Sequence, residues 1–287
     1  MEQGVSCMKE KVMITGGRGF IGKYVTALLE EKYEIHQVVE NVFEINFNEY
    51  MQIHKPDYLI NLAWVTGVGY LDSFENVKLV QKGLEMYEAF YKYGGRRAVF
   101  VGTEQEYERK SEPLKETDVI NPVSLYAECK ADLGKILVKN SLIENKGFVW
   151  ARLFFIYGTG EKPKRLMPAI INSLLKDENV TCSYEGYVRD YINVEDVASA
   201  IVCCLFSDYT GYVNVGGGRA TTIGEIAQII KSHIGGNGKV NFRTHEECNQ
   251  PMFIQADNSL LKSLGWTPKY DLEKGLHKEI EDLRNIM

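Results

Sequence analysis

Three spaced glycines between an apolar run and an amphipathic stretch constrain this chain more than any other feature. Lys11 to Ile14 reads as a short buried strand running into Thr15-Gly-Gly-Arg-Gly-Phe-Ile-Gly22. Lys23 to Glu31 then carries Val25, Leu28 and Leu29 near helical spacing. In that setting Gly16, Gly19 and Gly22 allow a tight turn whose backbone can approach a pyrophosphate at a helix N-terminus. On their own, three glycines also fit an ordinary strand-to-helix turn.

The rest of the chain supplies the context. Strand-like runs recur at Glu34 to Val39, Tyr58 to Ala63, Ala98 to Gly102, Gly147 to Phe155 and Thr181 to Tyr184. Helical patterns fall at Val77 to Tyr93, Ser124 to Ser141 and Leu166 to Lys176. Strand alternating with helix through the first 155 residues predicts a parallel sheet covered on both faces, a doubly wound α/β fold of Rossmann type. After Gly158 the rhythm changes: helices at Val194 to Phe206 and Thr222 to His233 flank a short strand at Val213 to Val215. The expected organisation is a leader over residues 1–10, a dinucleotide-binding domain over 11–158 and a smaller α/β substrate lobe over 159–287. The chain could also return to the first domain, leaving the two interleaved.

Glu40 lies 18 residues past Gly22 at the end of the second strand pattern. A carboxylate there can accept hydrogen bonds from adenosine ribose hydroxyls and would repel a 2′-phosphate. No Arg or Lys lies between Tyr33 and His54, which favours NAD. Arg18, inside the loop, could reach a 2′-phosphate and keeps NADP open.

Tyr126-Ala-Glu-Cys-Lys130 places a phenol and an ammonium one helical turn apart. The ammonium favours phenolate, so the tyrosine can exchange a proton with a carbinol or ketone near neutral pH. The pair follows the glycine loop by roughly 105 residues.

With that pair, the loop resembles the extended short-chain dehydrogenase/reductase family, which acts largely on nucleotide-sugars; the resemblance runs nearly end to end. It implies that Phe20, Ile21, Leu62 and Ala63 line the cofactor beside the glycines, and that Lys130 also holds the nicotinamide ribose. Asn61-Leu-Ala63 matches the segment after the third core strand. Val99-Phe-Val-Gly-Thr103, with Tyr107 following, matches the strand bearing the catalytic hydroxyl, here Thr103. Pro122-Val-Ser124 matches the approach to the catalytic helix, with Asn61 and Ser124 open between backbone capping and substrate contact. Arg152 to Gly158, including Phe155, matches the stretch flanking nicotinamide and sugar nucleotide. Arg189-Asp-Tyr-Ile-Asn-Val-Glu-Asp196 matches a motif whose Arg contacts the substrate diphosphate, although Arg189 could instead pair with Glu195 or Asp196. Asn214-Val-Gly216 and Leu264-Gly-Trp-Thr-Pro268 match C-terminal landmarks. The expected catalytic set is Thr103, Tyr126 and Lys130; the expected substrate contacts are Thr103, Glu104, Tyr126, Phe155 and Arg189.

Departures from the family pattern bear on the reaction. Dehydratases carry Asp-Glu after the catalytic Thr or Ser, with the Glu as base; here those positions are Glu104 and Gln105, and glutamine takes no proton. Glu104, next to Thr103 on a presumed strand, should point to the opposite face, although a bend at the strand end could turn it back. The Asn that epimerases often place near Phe154-Phe155 is absent, and so is a second diphosphate-contacting Arg about ten residues before Asp257. Glu246 and Glu247 stand there, with Arg243 nearest. The resemblance therefore implies NAD(P)-dependent reduction at C4 of a 4-keto-6-deoxy nucleotide-sugar, with C4 epimerisation as the alternative. Dehydration ranks lower because of Gln105, and a non-catalytic dinucleotide sensor because the Thr103, Tyr126 and Lys130 set is complete. The nucleotide is left open among UDP, dTDP, CDP and GDP, as is the stereochemistry at C4.

Composition excludes other classes. Net charge is −6 with Lys and Arg scattered, the wrong footprint for nucleic acid. No apolar stretch is long enough to span a membrane, and Met1 to Lys11 lacks an apolar signal core. Six cysteines form no Cys-x-x-Cys and no metal-ligand spacing with histidine, so free thiols in a cytoplasmic protein and no metal are expected. Family members commonly pair through the helix bearing Tyr126 and the helix before it. That implies a homodimer, with Leu79, Leu84, Met86, Leu133, Ile136 and Leu137 as candidate interface residues.

Overall fold

The structure is a computed structural model and describes residues 9–286. The expected leader therefore lies, but for its last two residues, outside the described residues, as does Cys7. The chain begins β1 (Lys11–Thr15), α1 (Gly22–Leu29), β2 (Glu34–Val38), α2 (Phe47–His54), β3 (Tyr58–Asn61) and α3 (Glu75–Lys92). It continues through β4 (Arg97–Thr103), α4 (Leu125–Ile143), β5 (Gly147–Leu153), β6 (Phe155–Tyr157), α5 (Leu166–Leu175), β7 (Val180–Cys182), β8 (Val188–Asn193) and α6 (Val194–Phe206). The last part holds β9 (Gly211–Val215), β10 (Ala220–Thr222), α7 (Ile223–Ile234), β11 (Val240–Phe242), α8 (His245–Cys248), β12 (Phe253–Ile254), α9 (Ser259–Ser263) and α10 (Leu272–Ile286).

Six strands form one sheet in the order β2-β1-β3-β4-β5-β9, and β1 pairs in parallel with both β2 and β3. The order reverses at β1, and the glycine loop leaves that strand's C-terminal end, where doubly wound sheets bind ligands. The expected fold class is therefore what the chain forms.

The chain makes two compact units. One comprises residues through Gly102, Pro122–Ala151 and Ile201–Tyr212; the other comprises Thr103–Asn121, Arg152–Ala200 and Val213–Met287. Four of the five exchanges fall inside regular elements, in β4, β5, α6 and β9. A division made once near Gly158 does not describe this path, because β9 returns to the six-stranded sheet.

In the first unit Met13, Leu59, Phe100, Phe148 and Trp150 of the sheet meet Phe90, Leu133 and Leu137 of α3 and α4. Here the reading of an interface needs correction. Leu79, Met86, Leu133 and Leu137 are at most 5% exposed. They face their own core, and only Ile136 of the six is well exposed. Small residues permit the close packing: a Cβ on Gly134 would lie 2.7 Å from the Trp150 ring. In the second unit Ile170, Ile171 and Leu174 of α5 meet Ile223, Ile226 and Ile230 of α7 and Leu276 and Ile280 of α10.

Helix α2 was not expected. Its signal is local: Asn46 caps it by accepting from the Glu49 N–H, and Lys55 closes it in the left-handed region. The Arg189 motif forms strand β8, paired with β6, β10 and β12. The described cysteines are free thiols. No described helix is long and apolar enough to cross a membrane.

Candidate functional site

In the first unit the glycines do three different jobs. Gly16 has φ +68°, and a Cβ there would press on the Leu62 carbonyl carbon and the Ala63 nitrogen at 3.0 Å. A Cβ on Gly22 would overlap the Gly16 carbonyl oxygen, so this glycine closes the loop on itself. Gly19 is exposed, and a Cβ there would touch only the Gly16 oxygen, at 3.1 Å. That leaves the space above Gly19 for a ligand. Phe20 and Ile21 lead from it, half-buried, into α1. Helix α1 starts without a side-chain cap and without an acidic residue in its first turn. Its positive dipole end suits a pyrophosphate.

This cradle yields a test. Gly19→Val fills the open space at the expense of a tight contact with the Gly16 oxygen, and is expected to raise the Kd for NADH at least about ten-fold, with circular dichroism as a folding control. Fluorescence titration showing an unchanged Kd would remove the dinucleotide from this loop.

Thr15 Oγ1 donates to Asn61 Oδ1 at 2.6 Å and accepts from Ala63 N at 3.3 Å. Asn61 is thus a buried tie between the ends of β1 and β3. Glu40 follows β2 on the surface, where its Oε2 accepts from Val39 N and from the Tyr50 hydroxyl. Backbone hydrogen bonding, against a small opposing effect of burial and with help from Tyr50, holds this carboxyl below the usual range. It is ionised and open to ribose hydroxyls. Arg18 is exposed.

Ser124 caps α4 by accepting from the Ala127 N–H at 3.2 Å. One turn on, the Tyr126 ring stands edge-on to Tyr70 and Trp64, centroids 5.0 and 6.4 Å away. Lys130 is buried. Its Nζ donates to the Val101 carbonyl at 2.6 Å and lies 3.8 Å from the Trp64 ring centroid. A carbonyl and an aromatic face hold the ammonium in place. Trp64 and Tyr70 were missed from sequence; the indole sits directly after Asn61-Leu-Ala63.

In the second unit, Thr103 ends β4 and caps a short turn. Its backbone N–H donates to Glu106 Oε1 at 2.9 Å while its hydroxyl accepts from Gln105 N at 3.3 Å. Glu106 Oε2 receives Arg152 Nε at 2.7 Å. Arg152 Nη1 also donates to the Tyr107 hydroxyl, which donates to Asn214 Oδ1 at 2.7 Å. Arg152 and Asn214 therefore buttress the Thr103 turn from within the core. Glu104 departs from expectation: the strand has ended, so alternation does not apply. It is buried and paired with Arg109 at 2.6 Å. Burial, opposed by Arg109, raises its carboxyl above the usual value.

Arg189 is 3% exposed. Its guanidinium lies 4.8 Å from the Tyr187 ring centroid and 5.5 Å from that of Phe155. It donates to the carbonyls of Val188 and Met252 and to Gln250 Oε1. The alternative ion pairs are not made. Asp196 accepts from Lys269 N and Tyr270 N, and Glu195 pairs with Lys269. Arg189, Phe155 and Tyr191 line a cavity of about 270 Å³ with Lys164 and Arg165. Sequence reading passed over Lys164 and Arg165, although Lys162-Pro-Lys-Arg165 is a basic cluster set before an apolar helix.

Known proteins resemble this chain in sequence and in fold. The family model described as the NAD dependent epimerase/dehydratase family matches residues 12–216. The CDP-abequose synthase of Salmonella typhimurium is 26% identical, across 96% of this chain and 99% of that one. The dTDP-4-dehydro-6-deoxyglucose reductase of Escherichia coli is 24% identical, with 96% and 98% covered. Among solved structures, UDP-glucose 4-epimerase of Thermotoga maritima with UDP-glucose superposes with a TM-score of 0.86 at 23% identity, covering 96% and 99%.

Proposed function

The chain belongs to the NAD dependent epimerase/dehydratase family, and on that premise we propose that it reduces the C4 ketone of a 4-keto-6-deoxy nucleotide-sugar. A bound nicotinamide dinucleotide supplies the hydride to C4. Tyr126 gives its phenolic proton to the ketone oxygen as that oxygen gains charge. Lys130 stabilises the phenolate left behind, and the Thr103 hydroxyl donates to the same oxygen. NAD is the proposed cofactor, since the ionised Glu40 carboxylate would repel a 2′-phosphate.

One observation carries the choice against dehydration. The turn after Thr103 offers no free base: position 105 is glutamine, and Glu104 is engaged by Arg109. Without a base at C5, exchange is confined to C4. A reductase of a 4-dehydro-6-deoxy sugar stands among the relatives at 24% identity and a putative UDP-glucose 4-epimerase at 27%. The relatives therefore support redox chemistry at C4 without choosing between the two.

The test supplies 4-deuterated NADH and a panel of nucleotide-linked 4-keto-6-deoxy sugars, with absorbance at 340 nm as readout. Cofactor oxidation with deuterium at C4 supports the reading. In deuterated water, enzyme-dependent label at C5 would shift it to dehydration. Interconversion of C4 epimers without net cofactor consumption would shift it to epimerisation. We also propose a homodimer; light scattering that returned the single-chain mass of 32.6 kDa would refute it.

A further inference from the structure

The second unit holds two adjoining cavities, of about 270 and 230 Å³, which share Lys164, Leu166 and Ser183 as lining residues. Four cations line them: Arg165, Lys164 and Arg189, with Arg243 in the smaller one. Among the described lining residues Glu161 is the one carboxylate. Such a cleft presents an excess of positive charge to an incoming anion.

Its two guanidinium groups at the larger cavity differ in kind. Arg189 is buried and held in place by two carbonyls and Gln250. The buried Glu104 carboxylate, itself paired with Arg109, acts on it electrostatically. The guanidinium is preorganised for an anion. Arg165 is 61% exposed at its side chain and is bound only at one edge, Nε to Glu161 Oε1 at 3.2 Å. Arg165 also stands at the N-cap of α5, which has no side-chain cap and no acidic residue in its first turn. The N–H groups of Leu166 and Met167, both cavity-lining residues, therefore add to the same positive end.

A diphosphate presents two phosphoryl groups, and a planar guanidinium suits each. The positions about ten residues before Asp257 are Glu246 and Glu247, and the nearest cation, Arg243, lines the smaller cavity and not the one that holds Arg189. Glu247 caps its own helix, accepting from Thr244 N at 2.7 Å.

We propose that Arg165, supported by Lys164 and the open end of α5, is the second diphosphate-binding cation of this protein, opposite Arg189. The inference rests on the nucleotide-sugar reading above. Glu161 holds the Arg165 guanidinium until phosphate replaces it. Burial raises this carboxyl to about 7, against the pull of Arg165, which makes it a readily neutralised counterion.

Isothermal titration of the intact protein with UDP, CDP, dTDP and GDP, and with the matching monophosphates, tests this. For the diphosphate that binds best, Arg165→Ala should weaken binding at least about ten-fold, against under about three-fold for its monophosphate and no change for NADH. Glu161→Gln, which frees the guanidinium, should tighten the diphosphate several-fold. An unchanged diphosphate Kd in Arg165→Ala, or equal losses for diphosphate and monophosphate, would overturn the proposal. If Arg189→Ala loses the diphosphate while Arg165→Ala does not, the assignment of Arg165 fails and the nucleotide-sugar reading stands. If the unmodified protein binds none of the four diphosphates, that reading fails and takes the proposal with it.

Discussion

Replacing Tyr126 with phenylalanine is expected to lower kcat by about 10²–10⁴ while barely moving the Kd for NADH. The substitution removes one hydroxyl and keeps the ring, so the edge-on contacts with Trp64 and Tyr70 survive. Ser124 still caps the helix, and Lys130 still donates to Val101. What disappears is the hydroxyl that the proposed mechanism uses as proton donor. Turnover followed at 340 nm, with circular dichroism as a folding control, decides the matter: retention of more than about half the activity would remove Tyr126 from the chemistry.

The second large effect concerns stability. Arg152 and Glu106 have side chains only 2% and 0% exposed and meet at 2.7 Å. Arg152→Met strands Glu106 as a buried charge, which should lower the free energy of unfolding by about 3–5 kcal/mol and the melting temperature by roughly 10 °C. Removing both charges, as Glu106→Leu with Arg152→Met, should restore most of that loss, because no buried charge is left unpaired. Activity should not return with it, since Glu106 also accepts the Thr103 N–H that fixes the turn. A double variant regaining both melting temperature and kcat would show that Thr103 needs no such support. A shift under about 2 °C in Arg152→Met would contradict the buried-pair argument itself.

The features legible in the sequence are the local ones. The glycine loop, the caps of α4 and the Tyr126 to Lys130 spacing are each written within a few residues, and their placement follows from strand and helix geometry alone. Misreading Glu104 was avoidable on the same grounds. Thr103-Glu-Gln-Glu106 has the spacing of a capping box, which announces that the strand stops at Thr103. The tie between Arg152 and Glu106 spans 46 residues and that between Tyr107 and Asn214 spans 107, so no periodicity reports either. Resemblance marked Arg152 and Asn214 as landmarks but attached the first to a substrate-flanking segment, whereas burial makes it a buttress. The same limit hid Trp64: an aromatic residue after a strand carries no sign that a lysine 66 residues later will settle on its face. Apolar spacing in α3 and α4 correctly marked a packed stripe, but not which of two surfaces the stripe would meet.

Consider, finally, the way the chain passes between its two compact units in the middle of β4, β5, α6 and β9. Neither unit is a continuous stretch of sequence, so neither can be excised, transplanted or exchanged as a cassette. A residue added or removed within one of those strands would turn the side chains beyond it to the opposite face. Altered specificity in a chain so woven is open to single substitutions and to changes in loop length. Splicing in a ready-made module is closed to it.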